Sequence, residues 1–164
     1  MSEKPTFPKH AQVRRKGLTY DEFELDRVID HHWGRTIGET ESVMFSTMTL
    51  NFNPTYFNVE YAKALGYDRM PLNPYLIYLT IFGLSVEDLT EGGQVGALVG
   101  MEQVKFHQPG FPCDTFFARS TVLAKRASSK NPEMGIVTWL TEGFNQHGLR
   151  VVEYQRTNMM NIRS

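Results

Sequence analysis

One segment constrains the fold of this chain more than any other, because it is apolar on every side. It reads NPYLIYLTIFGLSVEDL from Asn73 to Leu89, and its acidic residues stand only at the far end. Pro74 fits the first turn of a helix, where the N–H that proline lacks would have no partner anyway. A helix without a polar face needs cover on all sides. The sequence therefore predicts a central helix that is covered all round.

The segments that follow this helix have the composition of strands. They are rich in β-branched and aromatic residues and are separated by short runs of Gly, Pro and Asn. Four strands in succession, joined by short turns, predict an antiparallel sheet. The four runs are ALVGMEQVKF, TFFARSTVLAKRA, GIVTWLTEGFNQ and LRVVEYQRTNMMNI. Because such a sheet can cover the helix by curling, we expect an α+β hot-dog fold, an antiparallel sheet wrapped around a long buried central helix.

The chain length favours one domain. A chain of 164 residues buries roughly two thirds of the surface that its unfolded form exposes. Residues 1–17 contain two prolines and a basic run but no hydrophobic period, so we predict an N-terminal tail there and a single hot-dog domain over residues 18–164. One such unit leaves a sheet edge and a face exposed, which favours pairing into a dimer.

Composition excludes several classes of partner. A net charge of -1 gives no electrostatic footprint for nucleic acid. Cys113 is the single cysteine, and no Cys/His cluster has metal-ligand spacing, so a reducing, cytoplasmic location is expected. The longest apolar stretch, Tyr75 to Val86, is too short for a hydrocarbon layer of roughly 30 Å, and the N-terminus lacks the apolar core of a signal peptide.

Two short helices are predicted before the central helix, with a crowded turn between them. Thr40 is a plausible N-cap for TESVMFSTMTL, and Asn58 for NVEYAKALGY, which Gly66 would close in a left-handed conformation. Between them lies NFNPTYFNVEYA, starting at Asn51, with three Asn and one Pro within eight residues. Such turn chemistry is typical of a loop that aims side chains at a site.

Several of these segments together resemble the MaoC-like dehydratases, over roughly residues 18–162. Within that family the chain is most similar to the branch of the mesaconyl-CoA hydratases, where a TLN-x-NP segment and an Asn before the central helix also occur. The motifs are GRTI at residues 34–37, TLNFNP with the helix before it, EYA at residues 60–62, the buried helix from Asn73, QPGFPCDTFFARSTV, GIVTWLTEGFNQHG and VVEYQRT.

The resemblance implies an activity. Members of the family hydrate trans-2-enoyl-CoA thioesters or dehydrate 3-hydroxyacyl-CoA thioesters, without metal or organic cofactor, as a homodimer or an assembly of dimers. Four aromatic residues, Tyr75, Tyr78, Phe82 and Phe57, indicate a short or branched acyl chain, and the resemblance suggests that of mesaconyl-CoA as an example. In the (R)-specific hydratases a D-x-N-P-x-H motif supplies an Asp and a His that activate water and protonate the α-carbon. A Gly N–H at the start of the central helix holds the thioester oxygen.

Three positions of this pattern differ in the present chain. Asn51 stands at the Asp position, Tyr56 at the His position and Pro74 at the Gly position, whereas Asn53 and Pro54 keep the central pair. Asn51 cannot be a carboxylate base but can orient a water or a carbonyl, and a tyrosine with a pKa near 10 is a better proton donor than base at neutral pH.

The resemblance therefore gives two sets of site residues. Asn51 and Tyr56 are the expected catalytic residues, and Asn53, Asn73 and Tyr75 the expected substrate-binding residues. Since Pro74 has no N–H, the thioester oxygen would be held by the Tyr75 amide, by another free amide of the first turn or by the Asn73 side chain.

Each residue also has a plainer interpretation. Asn51 and Asn53 are explained equally well as turn formers, and Tyr56 as a packing aromatic. For the His31–His32 pair, a structural or exposed role is favoured over a catalytic one. His107 could face the site as a substitute base. Core packing is the default for the aromatic face of Tyr75, Tyr78 and Phe82. Basic side chains on the strands could bind coenzyme A phosphates or simply be solvated, namely Arg119, Lys125, Arg126 and Lys130.

Two other functions stay open from the sequence. One is a catalytically silent acyl-CoA-binding module, or the inactive partner of an active subunit, which the loss of the Asp, His and Gly favours. The other is thioester hydrolysis, which the same architecture hosts and which needs a carboxylate near the site. Glu60 and Asp68 are the nearest carboxylates in sequence.

Overall fold

The computed structural model describes residues 15–91 and 95–162. These residues form three α-helices, which all lie between the first and second strands, and five strands, which form one sheet. The helices are α1 (Glu39–Met48), α2 (Val59–Ala64) and α3 (Pro74–Leu89), with one-turn 3₁₀ helices at Tyr20–Glu22 and Pro54–Tyr56. The strands are β1 (Val28–Thr36), β2 (Val95–Phe106), β3 (Thr115–Ala127), β4 (Met134–Phe144) and β5 (Arg150–Asn161).

The sheet is antiparallel throughout, with strand order β1-β3-β4-β5-β2. The four strands that follow α3 correspond to the four predicted runs. Strand β2, the first after the helix, crosses to the far side of β5, so β1 and β2 form the two edges. The predicted combination of an antiparallel sheet and one long helix is confirmed.

The predicted topology contained four strands, whereas the structure contains a fifth, β1, before the helices. It pairs with β3, from Val28 opposite Thr121 to Thr36 opposite Thr115, with an irregularity between Asp30 and Gly34. The bulge interrupts the alternation on which a strand prediction relies. At Gly34 a Cβ atom would lie 2.4 Å from the Phe117 ring, so any other residue at this position would require that ring to move.

Helix α3 packs against the inner face of the sheet. Ile77, Ile81 and Leu84 of the helix join Phe116 of β3 and Tyr154 of β5 in one buried cluster. A second cluster lies beyond the C-terminal end of α3, and its members are Phe23, Leu89, Val122, Val137, Trp139 and Met160. Burial of these side chains is the main source of stability.

The expectation that α3 is covered all round is wrong for the single chain. Tyr75 is 54% exposed and Leu79 46% exposed, and their spacing of four residues places them one helical turn apart on the same face. A five-stranded sheet curls only part of the way round a helix, so one apolar stripe of α3 remains uncovered.

The helix boundaries follow local capping chemistry. Asn58 accepts a hydrogen bond from the Tyr61 N–H at 3.0 Å, and Gly66 adopts φ +90°, so both predictions for α2 are confirmed. Pro74 is the first residue of α3, as predicted. The predicted N-cap of α1 is wrong by two residues: the helix starts at Glu39, and the Glu41 carboxylate accepts the Gly38 N–H at 2.8 Å.

The division into a tail and a domain stays a prediction, because residues 1–14 lie outside the described part of the chain. From Arg15 onward the backbone contacts the domain: the Gly17 N–H donates to the Glu87 carbonyl at 2.8 Å, and Lys16 pairs with Glu91 at 3.0 Å. Within the described residues no helix is both long and apolar enough to cross a membrane.

Candidate active site

The crowded loop after α1 places Tyr56 by means of a single 3₁₀ turn. The Asn53 side chain accepts the Thr55 N–H at 3.1 Å, and the Tyr56 N–H donates to the Asn53 carbonyl at 3.1 Å. Pro54 is the first residue of the turn, where its fixed φ is favourable. Asn53 thus acts as a cap, and its side chain holds the turn that carries Tyr56.

Tyr56 lines a cleft of about 190 Å³, named here the tyrosine cleft. Tyr67 stands beside it, the start of α3 contributes Pro74 and Ile77, and the segment after β2 forms the remaining wall. The full lining is Tyr56, Tyr67, Pro71, Leu72, Pro74, Ile77, Phe106, His107, Gln108, Pro109, Gly110 and Val151. The structure therefore brings together the predicted catalytic tyrosine and the predicted start of the central helix.

The surroundings of Tyr56 keep its hydroxyl protonated. Burial raises the pKa of Tyr56 above its ordinary value, and the nearby hydroxyls of Tyr67 and Tyr75 raise it further. At neutral pH this side chain can donate a proton but cannot accept one. The Tyr56 hydroxyl is therefore protonated at neutral pH, and its raised pKa makes it a weaker acid than a free tyrosine.

Asn51 lies in a neighbouring cleft. Its backbone N–H donates to the Ser46 carbonyl at 2.8 Å, and its side chain joins Phe45, Thr49, Tyr75, Tyr78 and Leu79 around a space of about 370 Å³. Tyr75 connects the two clefts, because its ring packs edge-on against Phe106 of the tyrosine cleft, with centroids 5.7 Å apart. The two predicted catalytic residues line adjoining clefts and not one common cleft.

The start of α3 is capped by Asn73, which is fully buried. Its Oδ1 accepts the Tyr75 N–H at 3.0 Å, its Nδ2 donates to Ser46 Oγ at 2.9 Å, and its own N–H donates to Ser42 Oγ at 2.8 Å. The Asn73 side chain and the Tyr75 amide are two of the three donors predicted for a thioester oxygen, the third being another free amide of the first turn. In this conformation both are engaged inside the helix cap.

His107, which could face the site as a substitute base, lies next to the tyrosine cleft. It follows β2 directly, its N–H donates to the Val151 carbonyl at 2.9 Å, and the residue belongs to the lining of the tyrosine cleft. Its Nε2 lies 3.1 Å from Oε2 of Glu153 on β5. The pairing of β2 with β5 produces this contact, and local sequence patterns do not reveal strand partners.

Other candidate residues contact side chains outside the two clefts. The His31 ring is buried between Asp88, 2.9 Å from Nδ1, and Ser120 Oγ, 2.9 Å from Nε2. Burial lowers the pKa of His31, although Asp88 acts in the opposite direction. Arg119 pairs with Asp30 at 2.6 Å, and Lys125 stacks on the Tyr20 ring. Over residues 15–91 and 95–162, no group of three or more His, Cys, Asp or Glu side chains could share a metal ion.

The model of the mesaconyl-CoA hydratase family matches residues 5–164, nearly the whole chain. The chain belongs to this family. Mesaconyl-CoA hydratase from Haloarcula hispanica is 35% identical over 151 residues, which are 92% of this chain and 42% of that protein. β-Methylmalyl-CoA dehydratase from Chloroflexus aurantiacus is 27% identical over 156 residues, covering 90% of this chain and 41% of that protein. This mesaconyl-CoA hydratase family member thus spans about two fifths of the length of these relatives.

Solved structures confirm the hot-dog fold of this family member. A MaoC domain dehydratase from Chloroflexus aurantiacus superposes with a TM-score of 0.84 at 26% identity, over 90% of this chain and 41% of that one. A protein from Archaeoglobus described as a monoamine oxidase regulatory protein has a TM-score of 0.80 at 24% identity, over 92% and 98%. A Mycobacterium tuberculosis protein described as a double hot-dog fold has a TM-score of 0.79 at 20% identity, over 90% and 45%.

Proposed function

We propose that the chain is a hydratase or dehydratase that adds water to a 2-enoyl-CoA thioester or removes it from a 3-hydroxyacyl-CoA thioester. A short or branched acyl chain such as that of mesaconyl-CoA is the proposed substrate. The observation that carries the proposal is the position of Tyr56. The residue at the His position of the family motif lines a cleft with the first turn of the central helix.

The reaction needs an acid on one carbon and a base near the other. The oxygen of water forms a bond to the β-carbon, the π electrons move towards the thioester oxygen, and the α-carbon then takes up a proton. Tyr56 is the proposed donor of that proton, because it lines the cleft and a tyrosine hydroxyl is protonated at neutral pH. The thioester itself activates the alkene, so we propose a reaction without metal or organic cofactor.

Polar side chains around the clefts have proposed binding roles. Asn51 orients a water or a carbonyl at the edge of the second cleft, where Tyr75 provides an aromatic wall. For the thioester oxygen we propose donors from the lining of the tyrosine cleft, the Gln108 amide and the Tyr67 hydroxyl, because the predicted donors at the start of α3 are engaged.

Asn53 and Asn73 act indirectly in this proposal. Asn53 fixes the turn that carries Tyr56, and Asn73 fixes the first turn of α3 that carries Pro74 and Tyr75. Both are therefore positioning residues. Replacing either residue would affect substrate binding by displacing the walls of the two clefts.

We also propose that the chain works in the cytoplasm as a homodimer or an assembly of dimers. The exposed stripe of α3 and the free edge of β2 support this assembly, since Leu98 and Val99 on that edge are 51% and 57% exposed. A neighbour described as a double hot-dog fold, of which this chain covers 45%, supports the pairing of two such units.

The proposal is tested by the absorbance of the conjugated enoyl thioester. Purified protein is added to mesaconyl-CoA and, separately, to crotonyl-CoA, and loss of the absorbance is the expected result. A parallel reaction with a saturated acyl-CoA measures release of free coenzyme A. Absorbance that stays constant at saturating protein, with either thioester, would contradict the proposal.

A silent acyl-CoA-binding module or inactive partner subunit is the second candidate. It is favoured by the engaged amides at the start of α3 and by the exchange of the three motif positions. Binding of the thioesters without any turnover would support it. Thioester hydrolysis has less support, because Glu60 and Asp68 are exposed and lie outside the lining of both clefts.

A further inference from the structure

We propose that His107, oriented by Glu153, is the base that activates the water in the tyrosine cleft. The inference rests on the proposed hydratase function and extends it. It assigns the second proton-transfer group, which neither Asn51 nor Tyr56 can supply. An amide does not titrate, and a tyrosine that is protonated at neutral pH cannot accept a proton.

The backbone fixes the place of His107. Its N–H donates to the Val151 carbonyl at 2.9 Å, so the residue extends the β2–β5 ladder by one further step. At this position the residue belongs, with Tyr56 and Pro74, to the lining of one cleft. The histidine and the acid are therefore lining residues of the same cleft, the first at the end of β2 and the second on the loop after α1.

Glu153 determines which nitrogen of His107 carries the proton. Its Oε2 lies 3.1 Å from His107 Nε2, while Lys105 approaches Oε1 at 3.1 Å and Arg150 approaches Oε2 at 2.8 Å. Burial acts to raise the pKa of Glu153, but hydrogen bonds from Lys105 and His107 and the charge of Arg150 outweigh it and lower the pKa. A carboxylate can only accept a hydrogen bond, so neutral His107 carries its proton on Nε2 and keeps Nδ1 as the basic nitrogen.

The proton balance closes with this assignment. As the water oxygen bonds to the β-carbon, one water proton moves to Nδ1 of His107, and Tyr56 gives its hydroxyl proton to the α-carbon. Glu153 stabilises the imidazolium that forms. The imidazolium proton then returns to the Tyr56 phenolate through solvent, which restores both groups. Dehydration follows the same steps in reverse.

A purely structural ion pair makes a different prediction. His107 is about a third exposed and Lys105 is largely exposed, and ion pairs at such positions contribute little to stability. If the contact were only structural, replacement of His107 would change neither the pH dependence of turnover nor its response to added imidazole. Those two readouts separate the alternatives.

The experiment compares wild-type protein with His107→Gln, Glu153→Gln and the matched control His147→Gln, which replaces an exposed histidine on the β4–β5 turn. With mesaconyl-CoA and crotonyl-CoA, we expect kcat to fall about 10²-fold in His107→Gln, the scale of losing a general base. KM and the control should change little. Log kcat of the wild type should fall towards acid pH, and this acid limb should disappear in His107→Gln and move in Glu153→Gln. A further variant, His107→Ala, should regain part of its turnover when imidazole is added.

Three outcomes would overturn the inference. One is a His107→Gln variant with kcat within about twofold of wild type, which leaves the hydratase proposal intact. Another is a wild-type kcat that does not change towards acid pH, which needs no variant and so applies even if the variants fail to fold. The third is wild-type protein that binds the thioesters and turns over neither, which contradicts the hydratase proposal together with this inference.

Discussion

Tyr56 and a histidine differ in the direction in which they can move a proton at neutral pH. An unperturbed tyrosine has a pKa near 10, and burial with the neighbouring Tyr67 and Tyr75 raises the pKa of Tyr56 further. The residue therefore enters a reaction as an acid. A site built around it needs its base elsewhere, and His107 lines the same cleft with a carboxylate behind it.

Replacement of Tyr56 by Phe tests the acid. The ring and its packing are kept while the proton is lost, so kcat should fall about 10²-fold or more with little change in the affinity for the thioester. Tyr61→Phe, on the exposed face of α2, is the matched control and should keep full turnover. Equal activity of the two variants would show that the Tyr56 hydroxyl takes no part in the chemistry.

His31 should make stability depend on pH. Its pKa is lowered in the fold by burial, so below the unfolded pKa of about 6.5 the unfolded chain binds more protons than the folded one. The free energy of unfolding should therefore fall as the pH drops from 6.5 towards the lower folded pKa. Urea titrations at several pH values should show the gap between wild type and His31→Gln narrowing over this range. A gap that is independent of pH would contradict a buried neutral histidine.

At the scale of elements, the ends of helices could be predicted from the sequence, whereas the pairing of distant segments could not. Asn58, Gly66 and Pro74 mark helix ends correctly because capping acts over a few residues. Strand β1 escaped prediction because its sequence, VIDHHWGRT, contains a bulge and no regular alternation.

The same distinction applies to the site. Tyr56 and the start of α3 could be placed together from the family motif. The separation of Asn51 from the tyrosine cleft, and the contact between His107 and Glu153, depend on how α1 packs on α3 and how β2 pairs with β5. Such tertiary contacts leave no local pattern in the chain.

The cap of α3 should be the costliest helix cap to remove. Asn73→Ala leaves the Tyr75 N–H unpaired and deprives the buried Ser46 hydroxyl of a donor, so a loss of about 1–2 kcal/mol is expected. Asn53→Ala, at the exposed cap of one 3₁₀ turn, should cost less than about 0.5 kcal/mol. Denaturant unfolding measures both. Equal losses would mean that burial of the Asn73 network adds nothing to capping.

At the scale of the whole molecule, helix α3 and the edge strand β2 both expose apolar side chains to solvent. The exposed stripe of α3 includes Tyr75 and Leu79, and the edge strand β2 exposes Leu98 and Val99. Strand β2 is the longer of the two edge strands, with 12 residues against nine in β1, and it carries exposed apolar side chains that favour pairing. The account therefore expects β2 and α3 to be covered by a second unit.

Charge placed on this surface should separate the dimer. Leu79→Glu and Val99→Glu each put a carboxylate where an apolar partner is expected, so size-exclusion chromatography with light scattering should give the mass of one chain. Leu149→Glu, equally exposed at 54% on the β4–β5 turn, is the control and should stay dimeric. Dimers of unchanged stability in all three variants would place the interface elsewhere.

The most direct test of the account is the mass of the thioester recovered after wild-type protein, purified alone, has acted on mesaconyl-CoA and crotonyl-CoA in water labelled with heavy oxygen. The account predicts a product that is heavier by one labelled water and still attached to coenzyme A. Unchanged thioester that binds the protein, or free coenzyme A without hydration, would contradict the assignment of this chain as a hydratase.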